Sequence, residues 1–283
     1  MLKSLIKSMR LRTLPLSLAG VVCGGLLAIG EHGGGWWAFA LVLLTACALQ
    51  VLSNLSNEMG DHLSGVDGEG REGPSYSLAE RGCTVKQMWK AINGTVVACC
   101  VSGLAMVLVS GCPWWVLLAG AAAIWAATHY TLGKSPYGYK GLGDIFVFIF
   151  FGLVSVLGSY YVIAHTFPSE IRLWAPAMGI GLLSVAVLNL NNIRDMQSDE
   201  GLRKTIPLRI GVRRARWYQT ILVTVGYTLI AGASGKWWLL LMIELFIEQV
   251  YGVWRREGKN LDPLLPRLVI STFLLALLYG LQL

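Results

Sequence analysis

The chain has 283 residues, of which 55% are hydrophobic and only 14% charged, with a mean hydropathy of +0.59 and a formal charge of +7. Soluble domains carry about 25% charged residues, so this chain lacks the charge to wet a globular surface. A disordered chain, a collagen-like fibre and a disulfide-stapled module are excluded, which leaves a polytopic membrane protein. The six cysteines (Cys23, Cys47, Cys83, Cys99, Cys100 and Cys112) form no Cys-x-x-Cys pair. Most lie in apolar blocks, where a thiol behaves as a small hydrophobe.

In chain order, apolar stretches fall at 14–29, 36–55, 92–109, 114–127, 145–164, 174–190, 217–233, 237–251 and 268–282. A membrane-crossing helix takes about 20 residues, so flanking residues complete the shorter stretches. None shows the two-residue alternation of a barrel strand, and closed barrels or helices alone satisfy backbone groups in lipid. The expected fold is therefore all-α: nine transmembrane helices in one integral-membrane domain over 1–283. The first stretch follows basic residues but lacks an A-x-A cleavage pattern, and reads as an uncleaved first helix.

With the N-terminus cytoplasmic and the C-terminus outside, 21 of the 23 lysines and arginines fall on the cytoplasmic side, Arg172 and Lys236 being the exceptions. That is a strong positive-inside pattern, and it makes the basic balance a topology signal rather than a nucleic-acid surface. Trp36, Trp37, Trp114, Trp115, Trp174, Trp237 and Trp238 gather near helix starts on the outer side, as an interfacial belt does. Gly20-x-x-x-Gly24 in the first helix reads as close helix packing. Arg213, Arg214 and Arg216 read as an anchor on anionic lipid. The histidines form no cluster. Glu244 and Glu248 are spaced by four within an apolar stretch, where a carboxylate is a site by default; pairing of Glu248 with Arg255, or a place facing the bundle interior, is the plainer reading.

Two cytoplasmic loops are unusually polar. The first carries Asn54, Asn57, Glu58, Asp61, Asp67 and Arg71; the second carries Asn189, Asn191, Asn192, Arg194, Asp195 and Asp199. The steps Asn57 to Asp61, Asn191 to Asp195 and Asp195 to Asp199 are each four residues, which stacks side chains on one helical face. Carboxylates near the hydrocarbon core are costly and repel one another, and a divalent cation offsets both terms. Magnesium takes oxygen ligands and binds through one or two carboxylates plus substrate phosphates, so the facing clusters are expected to grip a metal–diphosphate, with Asp61 and Asp195 converging. Arg71, Lys134, Arg203 and Lys204 supply charge for the remaining phosphate oxygens. The alternative is a pair of solvated acidic loops. A third region, residues 130–144, carries Tyr130, Lys134, Tyr137, Tyr139, Lys140 and Asp144; tyrosines there can hydrogen-bond phosphate or stack on a ring, or merely sit at the interface beside snorkelling lysines.

Over nearly its whole length, from Arg10-Leu-Arg-Thr-Leu-Pro15 onward, the sequence resembles the UbiA superfamily of intramembrane prenyltransferases, and within it the 1,4-dihydroxy-2-naphthoate polyprenyltransferase branch. The strings that carry the resemblance are Asn54-Leu-Ser-Asn57-Glu58-Met-Gly-Asp61, Tyr130-x-x-x-Lys134, Pro136-Tyr137-Gly138-Tyr139-x-Gly141-Leu142-Gly143-Asp144 and Leu188-Asn189-x-Asn191-Asn192-x-Arg194-Asp195-x-x-x-Asp199. The resemblance implies a nine-helix bundle with a lateral opening to lipid and a polar cytoplasmic cap, in a bacterial inner membrane. It implies Mg²⁺, an isoprenyl diphosphate donor and an aromatic acceptor, here 1,4-dihydroxy-2-naphthoate, which loses carbon dioxide to give demethylmenaquinone. By position, Asn57, Glu58, Asp61, Asp195 and Asp199 hold the metal. Asp61, Asp195 and Lys134 are the catalytic set. Arg10, Asn54, Asn57, Asp67, Arg71, Tyr130, Tyr139, Asn191, Asn192, Arg194, Arg203 and Lys204 bind substrate.

The chain departs from the pattern at Glu58, which stands where aspartate is usual, at Leu11, which replaces a proline, and over residues 75–82. Two other functions fit the same residues: transfer to another acceptor such as 4-hydroxybenzoate, and secondary transport. Transport sites sit near the midplane in broken helices, whereas these acids fall at helix ends.

Overall fold

The computed structural model describes residues 2–65, 76–167 and 170–282. Two expected substrate residues, Asp67 and Arg71, lie outside them. The described residues form helices and turns, with no strand among them.

The chain opens with the short helix α1 (Leu2–Ser8), which docks on the loop before the fourth helix: Ser8 Oγ donates to Ser77 Oγ at 2.7 Å and Lys7 pairs with Glu80 at 2.5 Å. Arg10 then turns through a left-handed conformation (φ 47°) into a 3₁₀ turn at Leu11–Thr13. Helix α2 (Leu14–His32) follows, with Pro15 in its first turn, where a missing N–H costs nothing. Helix α3 (Trp36–Ser64) has 29 residues, about 43 Å at the usual rise, so it outruns a hydrocarbon core of about 30 Å. Its surplus length is the polar run Asn54–Ser64. Helix α4 (Val85–Ser110) starts on a capping box in which Thr84 and Gln87 exchange hydrogen bonds, and α5 (Val116–His129) follows.

The fifth apolar stretch is divided. Helix α6 (Gly143–Val147) runs into a π-helical segment, Phe148–Val154, and continues as α7 (Ser155–Ala164). Helix α8 (Ile171–Arg194) is buried along most of its length. The short helices α9 (Met196–Asp199) and α10 (Ile206–Ile210) lead to α11 (Val212–Ser234). A 3₁₀ turn (Trp237–Met242) opens α12 (Ile243–Arg255), and another (Gly258–Leu261) precedes α13 (Leu264–Gly280).

Each expected stretch is thus helical, but among the described residues seven helical stretches are both long and apolar enough to cross a membrane. The two that fall short are α5, with 14 residues, and α11, whose 23 residues include three arginines and Gln219.

The main core joins α2, α7, α8, α11 and α13 through buried residues such as Leu27, Tyr160, Ile180, Leu183, Ile230 and Leu275. Glycines let the backbones touch. A Cβ on Gly24 would lie 2.1 Å from the Val156 carbonyl oxygen, and one on Gly20 2.5 Å from Ser155 Oγ, so the Gly20-x-x-x-Gly24 pair fixes α2 against α7. All six cysteines are free thiols. Glu248 pairs with Arg267 on α13, while Arg255 lies over the Tyr251 ring; the expected Glu248–Arg255 pair gives way because α13 presents the nearer guanidinium. Glu244 is exposed.

Candidate active site

The polar end of α3 is seated by its neighbours before any substrate is considered. Asn54 donates to the Met9 carbonyl (2.9 Å) and Thr13 Oγ1 (3.0 Å), and Gln50 donates to Asn54 Oδ1 (3.2 Å). Asn54 therefore ties α3 to the turn that holds Arg10, whose guanidinium lies 3.7 Å from the centre of the Tyr76 ring. One turn on, Asn57 Oδ1 accepts from Thr131 Oγ1 at 3.3 Å, and Thr131 also donates to the Ser56 carbonyl at 3.0 Å. Gly60 permits this approach, since a Cβ there would lie 2.5 Å from Thr131 Cβ, Oγ1 and O. Glu58 is fully buried; one oxygen accepts from the Leu78 N–H at 2.8 Å and the other, Oε2, has no partner among the described residues.

Asp61 is where the two polar regions meet. Its Oδ1 accepts from Tyr139 Oη at 2.8 Å and from Arg203 Nη2 at 2.5 Å. The same guanidinium reaches Asp199 Oδ1 at 3.8 Å and lies over the Tyr139 ring at 5.0 Å. Carboxylates from α3 and α9 thus share one cation, with both side chains under a tenth exposed. Burial alone disfavours the charge on Arg203, but Asp61 and Asp199 more than offset it and hold the guanidinium above its ordinary range. Burial also pushes the Tyr139 hydroxyl up, with Asp61 adding to it. Burial pushes the Tyr130 hydroxyl to about 12, with Arg203 opposing and Asp61, Asp144 and Asp199 adding. Both phenols are therefore neutral donors across the physiological range.

Asp195 is held differently. Arg194 grips it bidentately, Nε to Oδ1 and Nη2 to Oδ2, both at 2.7 Å. Arg194 also reaches Asn191 Oδ1 (2.7 Å) and Asp262 Oδ1 (2.8 Å). The Asp199 N–H donates to the Asp195 carbonyl at 2.9 Å, so the two acids stand one turn apart. Asn192 is buried at the same helix end, and no side-chain hydrogen bond of it is found among the described residues. Lys134 is exposed and forms no ion pair with these acids; Lys204 is exposed too, and its N–H donates to the Tyr139 carbonyl at 3.0 Å. That bond, with Arg209 Nη2 donating to the Lys140 carbonyl at 2.6 Å, locks the loop after α9 onto the loop after α5.

The structure thus brings Asn57, Asp61, Tyr130, Tyr139, Asp199 and Arg203 into one neighbourhood. It sets Asn191, Arg194 and Asp195 in a second, one turn away, Asn54 and Arg10 in a supporting layer, and Lys134 and Lys204 on the rim. Asp61 and Asp199 meet directly on Arg203, while both oxygens of Asp195, one turn before Asp199, are engaged by Arg194. Among the described residues no three His, Cys, Asp or Glu side chains close on a single point. The donor set nevertheless fits a hard divalent cation: two carboxylates already face one positive centre, the nearby Asn57 adds an amide oxygen, and Glu58 Oε2 is a buried acceptor with no partner among the described residues.

Sequence reasoning gave no role to Thr131, Gln50, Asp262 or the pair Asp144–Tyr218, whose hydroxyl and carboxylate lie 3.0 Å apart. Asp144 stands within a noted string, but its partner lies 74 residues further on, and no local spacing announces that.

Residues 17–278 match the UbiA prenyltransferase family. The chain is 38% identical to a 1,4-dihydroxy-2-naphthoate octaprenyltransferase of Escherichia coli K12, over 97% of this chain and 92% of that protein. It is 36% identical to the Haemophilus influenzae protein of the same name, over 100% and 96%. Its fold is similar to that of a UbiA homolog from Archaeoglobus fulgidus bound to DMAPP and Mg²⁺, with a TM-score of 0.66 and 17% identity, covering 98% of this chain and 97% of that one. Several apolar helices, a shared fold and this degree of identity lead to one statement: the chain is an integral membrane protein of the UbiA prenyltransferase family.

Proposed function

We propose that the protein transfers a polyprenyl group from an isoprenyl diphosphate to 1,4-dihydroxy-2-naphthoate, with loss of carbon dioxide, giving demethylmenaquinone. The observation that carries this reading is the meeting of Asp61 and Asp199 on Arg203, beside Tyr139, in a chain whose relatives bear that activity in their names. The helix order supports a nine-span topology with the N-terminus cytoplasmic: α5 crosses with help from its flanks, α11 crosses as an amphipathic span, and the site opens on the cytoplasmic side of the inner membrane.

Asn57, Asp61 and Asp199 are the residues that would hold magnesium, with Asp195 one turn away and Glu58 behind them. Bound there, the ion supplies Lewis-acid neutralisation of the departing diphosphate. The chain's own cations do the rest of the electrostatic work. Arg203 and the rim residues Lys134 and Lys204 bind phosphate oxygens, and stabilisation of the leaving charge in a partly dry site is worth more than in water. Tyr139 and Tyr130, protonated, donate hydrogen bonds to anionic oxygens. Breaking the allylic C–O bond leaves a resonance-stabilised cation that water would trap. The aromatic stack that descends from the cap, Tyr137 on Phe146 with centroids 3.9 Å apart and Phe146 on Phe150 at 6.2 Å, supplies a water-excluding wall. The electron-rich acceptor ring then attacks C1 of the prenyl chain, and donor and product both partition into lipid.

The test is product identification by mass spectrometry. Purified protein in lipid is given octaprenyl diphosphate, Mg²⁺ and either 1,4-dihydroxy-2-naphthoate or 4-hydroxybenzoate, with a chelator control. Octaprenylated, decarboxylated naphthoquinol is expected from the first acid only and not in chelator. Prenylated 4-hydroxybenzoate with no naphthoate product would overturn the acceptor assignment.

A further inference from the structure

Asp144 opens α6, is 9% exposed, and accepts a hydrogen bond from Tyr218 Oη of α11 at 3.0 Å through Oδ2. Among the described residues, Asp61 and Asp199 share Arg203, Asp195 and Asp262 share Arg194, and Glu58 accepts from the Leu78 N–H. Asp144 has neither a lysine nor an arginine within ion-pair reach among the described residues. It also stands against the substrate end of the fold. A Cβ on its neighbour Gly143 would lie 3.1 Å from Tyr130 Oη and 3.3 Å from Leu188 Cδ2, so α6 begins on the tyrosine that borders the Asp61–Arg203–Asp199 group. Two phenols lie beside it: Tyr218, which donates to it, and Tyr130, which feels its charge.

A buried carboxylate without a counter-cation is costly unless hydroxyls or N–H groups satisfy its oxygens. Tyr218 donates to one oxygen and the residue's own backbone N–H also contributes, but among the described residues no second side chain donates to the carboxylate. Resting on the reaction assigned above, we propose that Asp144 binds the acceptor through a ring hydroxyl, taking that proton as the ring attacks, with Tyr218 as the positioning residue that aims the carboxylate. The step balances. The ring carbon bonds to C1 of the prenyl chain as the C–O bond to diphosphate breaks, and diphosphate leaves with the electron pair. The hydroxyl oxygen becomes a carbonyl as its proton passes to Asp144. Carbon dioxide then departs, its bonding pair restores the aromatic ring, and Asp144 returns the proton to oxygen. No oxidant or further reactant is needed.

The test separates this role from donor binding and from folding. Binding of 1,4-dihydroxy-2-naphthoate and of its two monomethyl ethers is measured by ligand fluorescence, with a non-reactive prenyl thiolodiphosphate and Mg²⁺ present. Wild type is expected to bind the dihydroxy acid at least about tenfold more tightly than one of the ethers, the size of a lost hydrogen bond to a charged group. Asp144→Asn weakens the dihydroxy acid by a similar factor, leaves that ether and the thiolodiphosphate unaffected, and slows prenyl transfer by about 100-fold or more, the usual scale of general-base loss. Tyr218→Phe, which keeps the ring in place, narrows the same discrimination and decides the matter should Asp144→Asn fail to insert. Equal binding of all three acids by wild type, or unchanged discrimination in the variants, would overturn the proposal. Wild-type protein that makes no naphthoate product at all would instead sink the reaction on which it rests.

Discussion

Arg194→Met removes the guanidinium while keeping most of the side-chain volume. The Arg194 side chain is 4% exposed and that of Asp195 7%, so the substitution leaves a buried carboxylate facing methylenes where two 2.7 Å bonds had been. Breaking one side of a buried pair costs about 3–5 kcal/mol. The third partner, Asp262, is 47% exposed, and its share is screened to under about 1 kcal/mol. A loss of about 4 kcal/mol is expected, read from the midpoint and slope of helix loss in mixed micelles as the denaturing detergent fraction rises. Arg194→Met/Asp195→Asn is expected to be more stable than Arg194→Met alone, because the stranded charge is gone. A loss below about 1 kcal/mol, the value of a surface pair, or a double variant no better than the single, would show that water reaches Asp195 and would refute the reasoning.

Four further outcomes are expected. Asp61→Asn should insert and fold yet lose prenyl transfer by about 100-fold or more; full activity would remove it from the site. Gly60→Ala drives a methyl into Thr131 and should cost about 1–3 kcal/mol, as overpacking does, together with donor affinity measured by thiolodiphosphate binding. Arg203→Met frees the face between Asp61 and Asp199, so Mn²⁺ binding without diphosphate, followed by electron paramagnetic resonance, should tighten while prenyl transfer falls; weaker Mn²⁺ binding would show that the guanidinium does not occupy a cation seat. Tyr130 has its hydroxyl pushed up to about 12 by burial, against about 10 for a free phenol. The unfolded chain therefore loses that proton first, and stability should fall as pH rises from about 10 towards 12, less steeply in Tyr130→Phe.

The helices were legible because lipid imposes one rule on every backbone group, and the composition states it repeatedly. Asn57 with Asp61, and Asp195 with Asp199, were legible because their partners lie within one turn. The basic residue that joins the two regions was not. Arg203 is 142 residues from Asp61, and nothing local separates it from Lys134 or Lys204, both of which the fold leaves on the rim. Arg194 reads as a substrate ligand from its string, yet adjacency to Asp195 lets it close on that carboxylate first. Glu58 shares a helix end with Asp61, but the Leu78 N–H takes one of its oxygens. Asp144 acquires meaning only once α11 brings Tyr218 beside it.

The π-helical stretch at Phe148–Val154 carries a consequence for how this enzyme tolerates insertion and deletion. An α-helix turns about 100° for each residue, so removing one residue there and letting the segment relax to α geometry would swing everything upstream by that angle relative to α7. The glycine contacts of Gly152 with Ala177 and Gly181 would keep the lower half in place, and Asp144 would be carried off the face that Tyr218 occupies. One surplus residue in an apolar stretch thus sets the compass bearing of a carboxylate at the membrane surface.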